Sequence, residues 1–301
     1  MKKFIVKIST ILITFILPIL IGEVIIRSYE NEYSYKHRYV CENGDKIETL
    51  ILGSSRAYHS ISPLHLAPNS FIMANAGQVL KMDMEILNQY DRNLPNLKTV
   101  IIELSYFSFR SGTVEDMNKP NRYTNYQVFM HFNGGDYCSF YNNFILSNPV
   151  LYKGMLKRIK KGEIMKCDSL GQYKYFAHNY SKINLDDNGK KMAMGQTNTN
   201  VKVAALNRKY LQDIILYCKR RSIRLVFYTA LVWSTYYENM GQEQYNEMQS
   251  IIAEFVGNYN LEYYNYMNDS RFTSDDFVDA HHMSKIGAEK LSRILADTLG
   301  M

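Results

Sequence analysis

Ile47-Glu48-Thr49-Leu50-Ile51-Leu52-Gly53-Ser54-Ser55-Arg56-Ala57-Tyr58-His59 is the stretch that decides how this chain is read. Its β-branched and leucine run reads as a buried strand that enters a tight turn and then a helix. Gly-Ser-Ser then sets small hydroxyl side chains at the carboxyl edge of a sheet, where open α/β proteins hold their ligands. Gly53 can take the positive φ that a sharp strand-to-helix turn needs, and the first N–H groups of the helix face whatever the serine meets. Two readings stand at this point. The turn presents a nucleophile with half of an oxyanion hole attached, or Ser54 is an N-cap and the turn binds a phosphate or nothing.

The far end of the chain favours the first reading. Asp275-Asp276-Phe277-Val278-Asp279-Ala280-His281-His282-Met283-Ser284 precedes the last helix. Asp279 and His282 are three apart, so on a helical or tight turn the carboxylate reaches Nδ1–H of the imidazole and leaves Nε2 facing outward. His281 and His282 are neighbours and cannot both face one serine. His59, four residues after Ser55, is the rival base, and as a plain helix residue it is expected to be exposed.

These residues together resemble the SGNH (GDSL-type) serine hydrolases, and within them the membrane-anchored, DltD-like and polysaccharide-acylation branches with Gly-Ser-Ser in place of Gly-Asp-Ser. By that resemblance Ser55 takes the nucleophile's place, and Asp279 and His282 match the Asp-x-x-His block. Asn75-Ala76-Gly77 matches the second block, whose glycine N–H, here Gly77, joins Ser55 N–H in the oxyanion hole. The third block does not match: Ile101-Ile102-Glu103-Leu104-Ser105-Tyr106 stands where the family has Gly-x-Asn-Asp. The third oxyanion donor is then Ser105, another group, or missing. Gly53-Ser54-Ser55-Arg56-Ala57 also approximates the Gly-x-Ser-x-Gly elbow of α/β-hydrolases, but there several strands precede the serine, and here the elbow follows the first.

Around the elbow, Ser70–Ala74, Thr99–Leu104, Arg224–Tyr228 and Leu261–Tyr266 read as further strands. Helical patterns cover Met82–Leu94, Val201–Arg221, Gln244–Val256 and Ser284–Leu299. This alternation predicts a parallel sheet, because parallel neighbours need crossover helices. With the resemblance, the expected fold is α/β: a three-layer α/β/α domain on a parallel five-stranded, flavodoxin-like sheet, spanning residues 47–301. The composition of the 301 residues, 46% hydrophobic and 21% charged, is an ordinary globular balance.

Residues 1–27 differ. Lys2, Lys3 and Lys7 precede an apolar run from Ile8 to Ile26 of about bilayer length, without a small-x-small cleavage site. An uncleaved signal anchor is expected, with its N-terminus cytoplasmic and the rest extracytoplasmic. Residues 28–46 read as a polar, tyrosine-rich stalk. Residues 106–200 form a divergent insertion containing a basic helical stretch, Val150–Lys166, which reads as a solvated face or as a surface for anionic headgroups or an acidic glycan. Trp233 and Tyr236-Tyr237, at the elbow's edge of the sheet, are packing residues or a platform for a sugar ring. Cys41, Cys138, Cys167 and Cys218 allow three pairings, and the sequence does not choose among them.

The net charge of +6 comes partly from the anchor lysines and the basic helix. No nucleic-acid module, dinucleotide fingerprint or metal-ligand spacing is present, so no cofactor, no metal and no nucleic acid are expected. The resemblance implies an extracytoplasmic esterase or O-acyltransferase acting on acyl, chiefly acetyl, esters of a cell-surface glycan. It also implies a membrane-bound acyltransferase as partner. The alternatives are a non-catalytic partner in an envelope polysaccharide acylation or export complex, and a lipid-directed esterase.

Overall fold

The computed structural model describes residues 2–110, 120–132, 143–174, 183–197 and 202–301. Five strands, β1 (Thr49–Leu52), β2 (Ser70–Ile72), β3 (Thr99–Glu103), β4 (Arg224–Thr229) and β5 (Glu262–Asn265), form one sheet in the order β2-β1-β3-β4-β5. Every neighbouring pair is parallel. This is the doubly wound order whose switch point lies between β1 and β3, and there the carboxyl edge opens a crevice. All of β1 and β3 is buried, as continuous apolar runs covered on both faces require, whereas β5 at the edge is half-buried. Beyond β2, Ile72 N–H donates to Leu170 O at 3.0 Å, so residues near 170 cover that edge.

The crossover helices fall into two groups by contact, as helices on the two faces of a parallel sheet do. Leu80–Gln89 packs with Lys202–Arg220, which also meets Gln242–Tyr259; Ser55–Ser60 packs with Lys285–Leu299. The second sheet is an antiparallel pair, β6 (Phe277–Asp279) and β7 (His282–Met283), in which Asp279 stands opposite His282. The Asp-x-x-His spacing is thus realised across a two-residue hairpin turn rather than on a helical turn. Among the described residues no disulfide joins Cys41, Cys167 and Cys218, and burial pushes Cys218 up to about 12; Cys138 lies outside the described residues.

The chain divides into two units. One comprises residues 39–116 and 167–301 and contains the sheet; the other comprises residues 1–38 and 117–166. In the second unit Lys2–Ser28 is one helix that continues through Pro18. The stretch read as a stalk is helical over Glu32–Asn43, a helix that runs from this unit into the first, and Tyr33, Lys36 and Val40 in it are buried. The basic stretch is the helix Pro149–Lys161, closed by Gly162 in the left-handed region. Glu23 is 5% exposed because its carboxylate accepts the N–H groups of Ile145 (2.9 Å) and Leu146 (3.0 Å) and pairs with Arg27 at 2.8 Å. Among the described residues no helix is long and apolar enough to cross a membrane.

Candidate active site

β1 delivers Gly53 at the sheet edge with φ +120°, and a Cβ there would stand 3.1–3.2 Å from the backbone and Cβ of Glu103 on the adjacent β3. Only glycine fits so close an approach of two chains. Ser54 follows as N-cap: its Oγ accepts Arg56 N–H at 3.2 Å, donates to Glu103 Oε2 at 3.0 Å and is buried. Ser55 opens the helix Ser55–Ser60, so its N–H has no carbonyl partner within the helix. Ser55 is half-buried, and its hydroxyl has a different partner from that of Ser54.

Ser55 Oγ lies 2.8 Å from His282 Nε2, and His282 Nδ1 lies 2.9 Å from Asp279 Oδ2. Asp279 Oδ1 accepts the backbone N–H groups of His281 (3.0 Å) and His282 (2.9 Å), which locks the carboxylate on the hairpin that carries the imidazole. Burial by itself would raise the Asp279 pKa, but the two histidine side chains outweigh it and hold the carboxyl well below the usual range. His281 Nδ1 stands 3.1 Å from Asp279 Oδ1, so both imidazoles face this carboxylate. Burial lowers His281 to about 4, which leaves it neutral at physiological pH. The structure therefore brings together three residues 224 or more positions apart in part, Ser55 with Asp279 and His282, in one donor–acceptor chain.

The His282 ring is flanked on two sides, by His281 (centroids 4.0 Å) and by His59 (4.6 Å). His59 was expected to be exposed and is buried, its ring stacked on Tyr173 at 4.1 Å. The reason is packing: the one-turn helix that carries it is covered by Lys285–Leu299 and by residue 173. Trp233 is a packing residue on this edge. Its N–H donates to Ala280 O at 2.8 Å, its indole N–H to Asp186 at 2.6 Å, and its ring meets Phe277 edge-on.

The place of the unmatched third block is filled by a buried ionic cluster. Glu103 accepts hydrogen bonds from Ser54 and, at 2.7 Å, from Ser105 Oγ, and Arg56 Nε stands 3.7 Å away. Arg56 is 1% exposed and donates to the carbonyls of Ala230 (2.6 Å) and Leu231 (3.1 Å), which ties the elbow to the end of β4. Burial raises the Glu103 pKa, opposed by Arg56 and by the two serine hydroxyls. Ser105 is fully buried, its only hydroxyl proton is spent on Glu103, and its N–H donates to Ser108 Oγ at 2.7 Å. It is placed as a support for Glu103 and not as an oxyanion donor. Sequence reasoning missed Arg56 and Glu103; a charged residue closing an otherwise apolar strand was the available signal.

Gly77, the expected partner donor, has φ +70° in the turn after β2, where Gln78 N–H closes on Asn75 O at 3.1 Å. Beneath the two turns lies Asp83, which accepts Gly53 N–H at 3.0 Å and Gln78 Nε2 at 2.6 Å. Burial pushes Asp83 up to about 7, with nearby Glu103 adding to the rise and both hydrogen bonds opposing it. Because the folded value is the higher one, this carboxyl's contribution to stability is complete below about pH 4 and is lost as pH rises towards about 7. Asp83→Asn, which does not titrate, is therefore expected to gain stability relative to the parent across that window, by about 4 kcal/mol at most. Urea unfolding at pH 4.5 and pH 8 measures it; an equal difference at both pH values would contradict the raised pKa.

Asp279, His281 and His282 also offer three ligand atoms within 4.8 Å of one another. A cation held there would have to take His282 from Asp279 or from Ser55, so the donor set fits the hydrogen-bonded chain better than a metal.

No protein-family model matches this chain, and no curated protein matches it. Among solved structures, a protein of Bacteroides fragilis NCTC 9343 described as a candidate acylhydrolase aligns at TM-score 0.44 and 9% identity, over 90% of this chain and 98% of that one. A GDSL-like lipase of Bacteroides thetaiotaomicron VPI-5482 aligns at TM-score 0.41 and 12% identity, over the same shares. At these values the likenesses carry no argument, and the functional reading rests on the site's own geometry.

Proposed function

We propose that this protein is a serine esterase or O-acyltransferase of the SGNH type, held to a membrane by its N-terminal helix and acting outside the cytoplasm on acyl esters of a cell-surface polysaccharide. The observation that carries the reading is the chain Ser55 Oγ, His282, Asp279, at 2.8 and 2.9 Å, on the carboxyl edge of a parallel sheet. His282 Nε2 takes the Ser55 proton as Oγ bonds to the acyl carbon. The same nitrogen then returns that proton to the departing alkoxide, leaving the acyl group on Ser55. Water completes an esterase cycle and a sugar hydroxyl completes a transferase cycle, with the same proton path reversed. Ser55 N–H and Gly77 N–H stabilise the oxyanion, and a membrane-bound acyltransferase would supply the acyl donor in the transferase case.

The anchor is supported by Lys2, Lys3 and Lys7 ahead of the apolar run. It is also supported by Phe15, Ile16 and Leu17, and again Ile19, Leu20 and Ile21, being about half or more exposed in succession. A helix that is apolar on every face needs a nonaqueous surrounding. The Glu23 charge that interrupts the run is neutralised by Arg27 and two backbone donors.

Two experiments test the reading. An alkyl fluorophosphonate should label the purified full-length protein at Ser55 alone, read by peptide mass spectrometry; no labelling would leave a non-catalytic envelope partner as the better account. A topology reporter fused after Met301 should be active only outside the cytoplasm, with the protein retained in membranes after a high-salt wash. Activity on the cytoplasmic side would overturn the anchor.

A further inference from the structure

Asp83 is an ionisable side chain with no place in the proton path, yet it is 1% exposed directly beneath the nucleophile's turn. A carboxyl there is costly to bury, and an aliphatic residue at this position of the helix Leu80–Gln89 would serve packing better. What it does is geometric. One oxygen, Oδ1, accepts both Gly53 N–H from the turn after β1 (3.0 Å) and Gln78 Nε2–H from the turn after β2 (2.6 Å). Gln78 in turn holds its own loop: its Oε1 accepts Asn75 Nδ2–H at 3.1 Å, and its N–H closes on Asn75 O at 3.1 Å around Gly77.

Two turns from adjacent strands are thus cross-linked through a single acceptor atom. An oxyanion hole built from Ser55 N–H and Gly77 N–H takes one donor from each of them. Such donors act only when both stand about 2.7–3.1 Å from the developing charge, a tolerance that two independently held loops do not keep. We propose that Asp83 is a positioning residue that fixes the Gly53–Ser55 turn against the Asn75–Gln78 turn at the spacing oxyanion stabilisation requires, with Gln78 as the connecting link. The proposal rests on the esterase reading above. It predicts a defect confined to the charged transition state, because Asp83 and Gln78 are both buried.

The test uses the full-length protein in detergent, parent and variants Asp83→Ala, Asp83→Asn and Gln78→Met. Three quantities are read: the rate of Ser55 labelling by an alkyl fluorophosphonate, kcat and KM on p-nitrophenyl acetate, and the inhibition constant of an alkyl trifluoromethyl ketone, which binds serine as an oxyanion. Asp83→Ala should lower kcat by about 100-fold, the range for loss of one oxyanion donor, with KM changed less than about threefold. Ketone affinity should fall in step with kcat. Asp83→Asn keeps an acceptor oxygen for both N–H groups and should recover to within about tenfold of the parent. Gln78→Met, which conserves volume but cuts the link, should reproduce the kcat-only loss in milder form and covers the case in which Asp83→Ala fails to fold.

A parent that labels normally, with Asp83→Ala and Gln78→Met keeping kcat and ketone affinity within about threefold, would overturn the proposal while leaving the esterase reading intact. Asp83→Asn as damaged as Asp83→Ala, or losses shared equally between KM and kcat, would likewise reduce Asp83 to a packing role. A parent that does not label at all removes the esterase reading, and this proposal with it.

Discussion

Ser55→Ala is expected to lose all fluorophosphonate labelling and about 10⁴-fold or more of ester turnover, while Ser54→Ala keeps both within about tenfold. The two hydroxyls are one residue apart but belong to different networks. Ser55 Oγ meets His282 Nε2 at 2.8 Å, whereas Ser54 Oγ is buried between Glu103, Ser105 and Arg56 N–H. Ser54 has the buried Glu103 carboxylate as its hydrogen-bond acceptor and no imidazole, and it is itself buried away from the open edge where an ester carbonyl would sit. Its removal takes away an N-cap and one donor to a buried carboxylate, which costs stability on the order of 1–2 kcal/mol and shows in thermal melting, not in chemistry. Intact-mass analysis after probe treatment separates the pair directly. Label on Ser54, or full labelling of Ser55→Ala, would move the nucleophile and undo the proposed function.

The strands at 49–52, 70–72, 99–103 and 224–229 coincide with apolar runs visible in the chain because parallel strands buried on both faces have little room for polar residues, whereas Glu262–Asn265, half-buried at the edge, shows itself by its paired tyrosines. Ser55, Asp279 and His282 could be singled out for a different reason. Gly-Ser-Ser at the turn and Asp-x-x-His before the last helix match the blocks of the family this chain resembles, and that match, not spacing alone, chose Ser55 over Ser54 and His282 over His59. Asp279 and His282 meet across a two-residue hairpin turn, one of the two local geometries in which a spacing of three brings these side chains together.

Glu103, Arg56 and Asp83 were not legible. Each has at least one decisive partner far along the chain, Gly53 for Asp83, Ser54 for Glu103 and Leu231 for Arg56, and a charged residue in an apolar stretch hints at such a partner without naming it. The burial of His59 depends on long-range packing in the same way. The helix Glu32–Asn43 was hidden because its polar and tyrosine-rich sequence lacks a clean apolar stripe, although Tyr33, Lys36 and Val40 are buried. Within residues 106–200, outside the basic helical stretch at 150–166, the aromatic sequence carries neither period, and the segments 111–119, 133–142, 175–182 and 198–200 lie outside the described residues.

Asp279→Asn is expected to keep the fold and lose about 10³–10⁴ in kcat, because an amide cannot hold Nδ1–H of His282 as a carboxylate does, and the other tautomer would put a proton on the nitrogen facing Ser55. His282→Ala should be at least as severe. Triad members act as a unit, so the double variant should cost little beyond the worse single change. The effect on stability has its own pH signature. The folded Asp279 carboxyl titrates well below its ordinary range, so its contribution to stability is present above about pH 4 and is lost only as pH falls through that depressed value. The stability gap between parent and Asp279→Asn should therefore be constant from pH 8 down to about pH 5 and narrow under stronger acid. The loss in kcat should persist across the whole neutral range, where the gap does not change. His281→Ala and His59→Ala remove only the rings that flank His282 and should each cost less than about tenfold. Ester hydrolysis on a short acetyl ester, with urea unfolding at matched pH, measures both quantities. Should Asp279→Asn keep full turnover, the hairpin is structural and Ser55 and His282 act without an orienter; should His59→Ala alone be inactive, the base lies on the elbow helix and the C-terminal assignment fails.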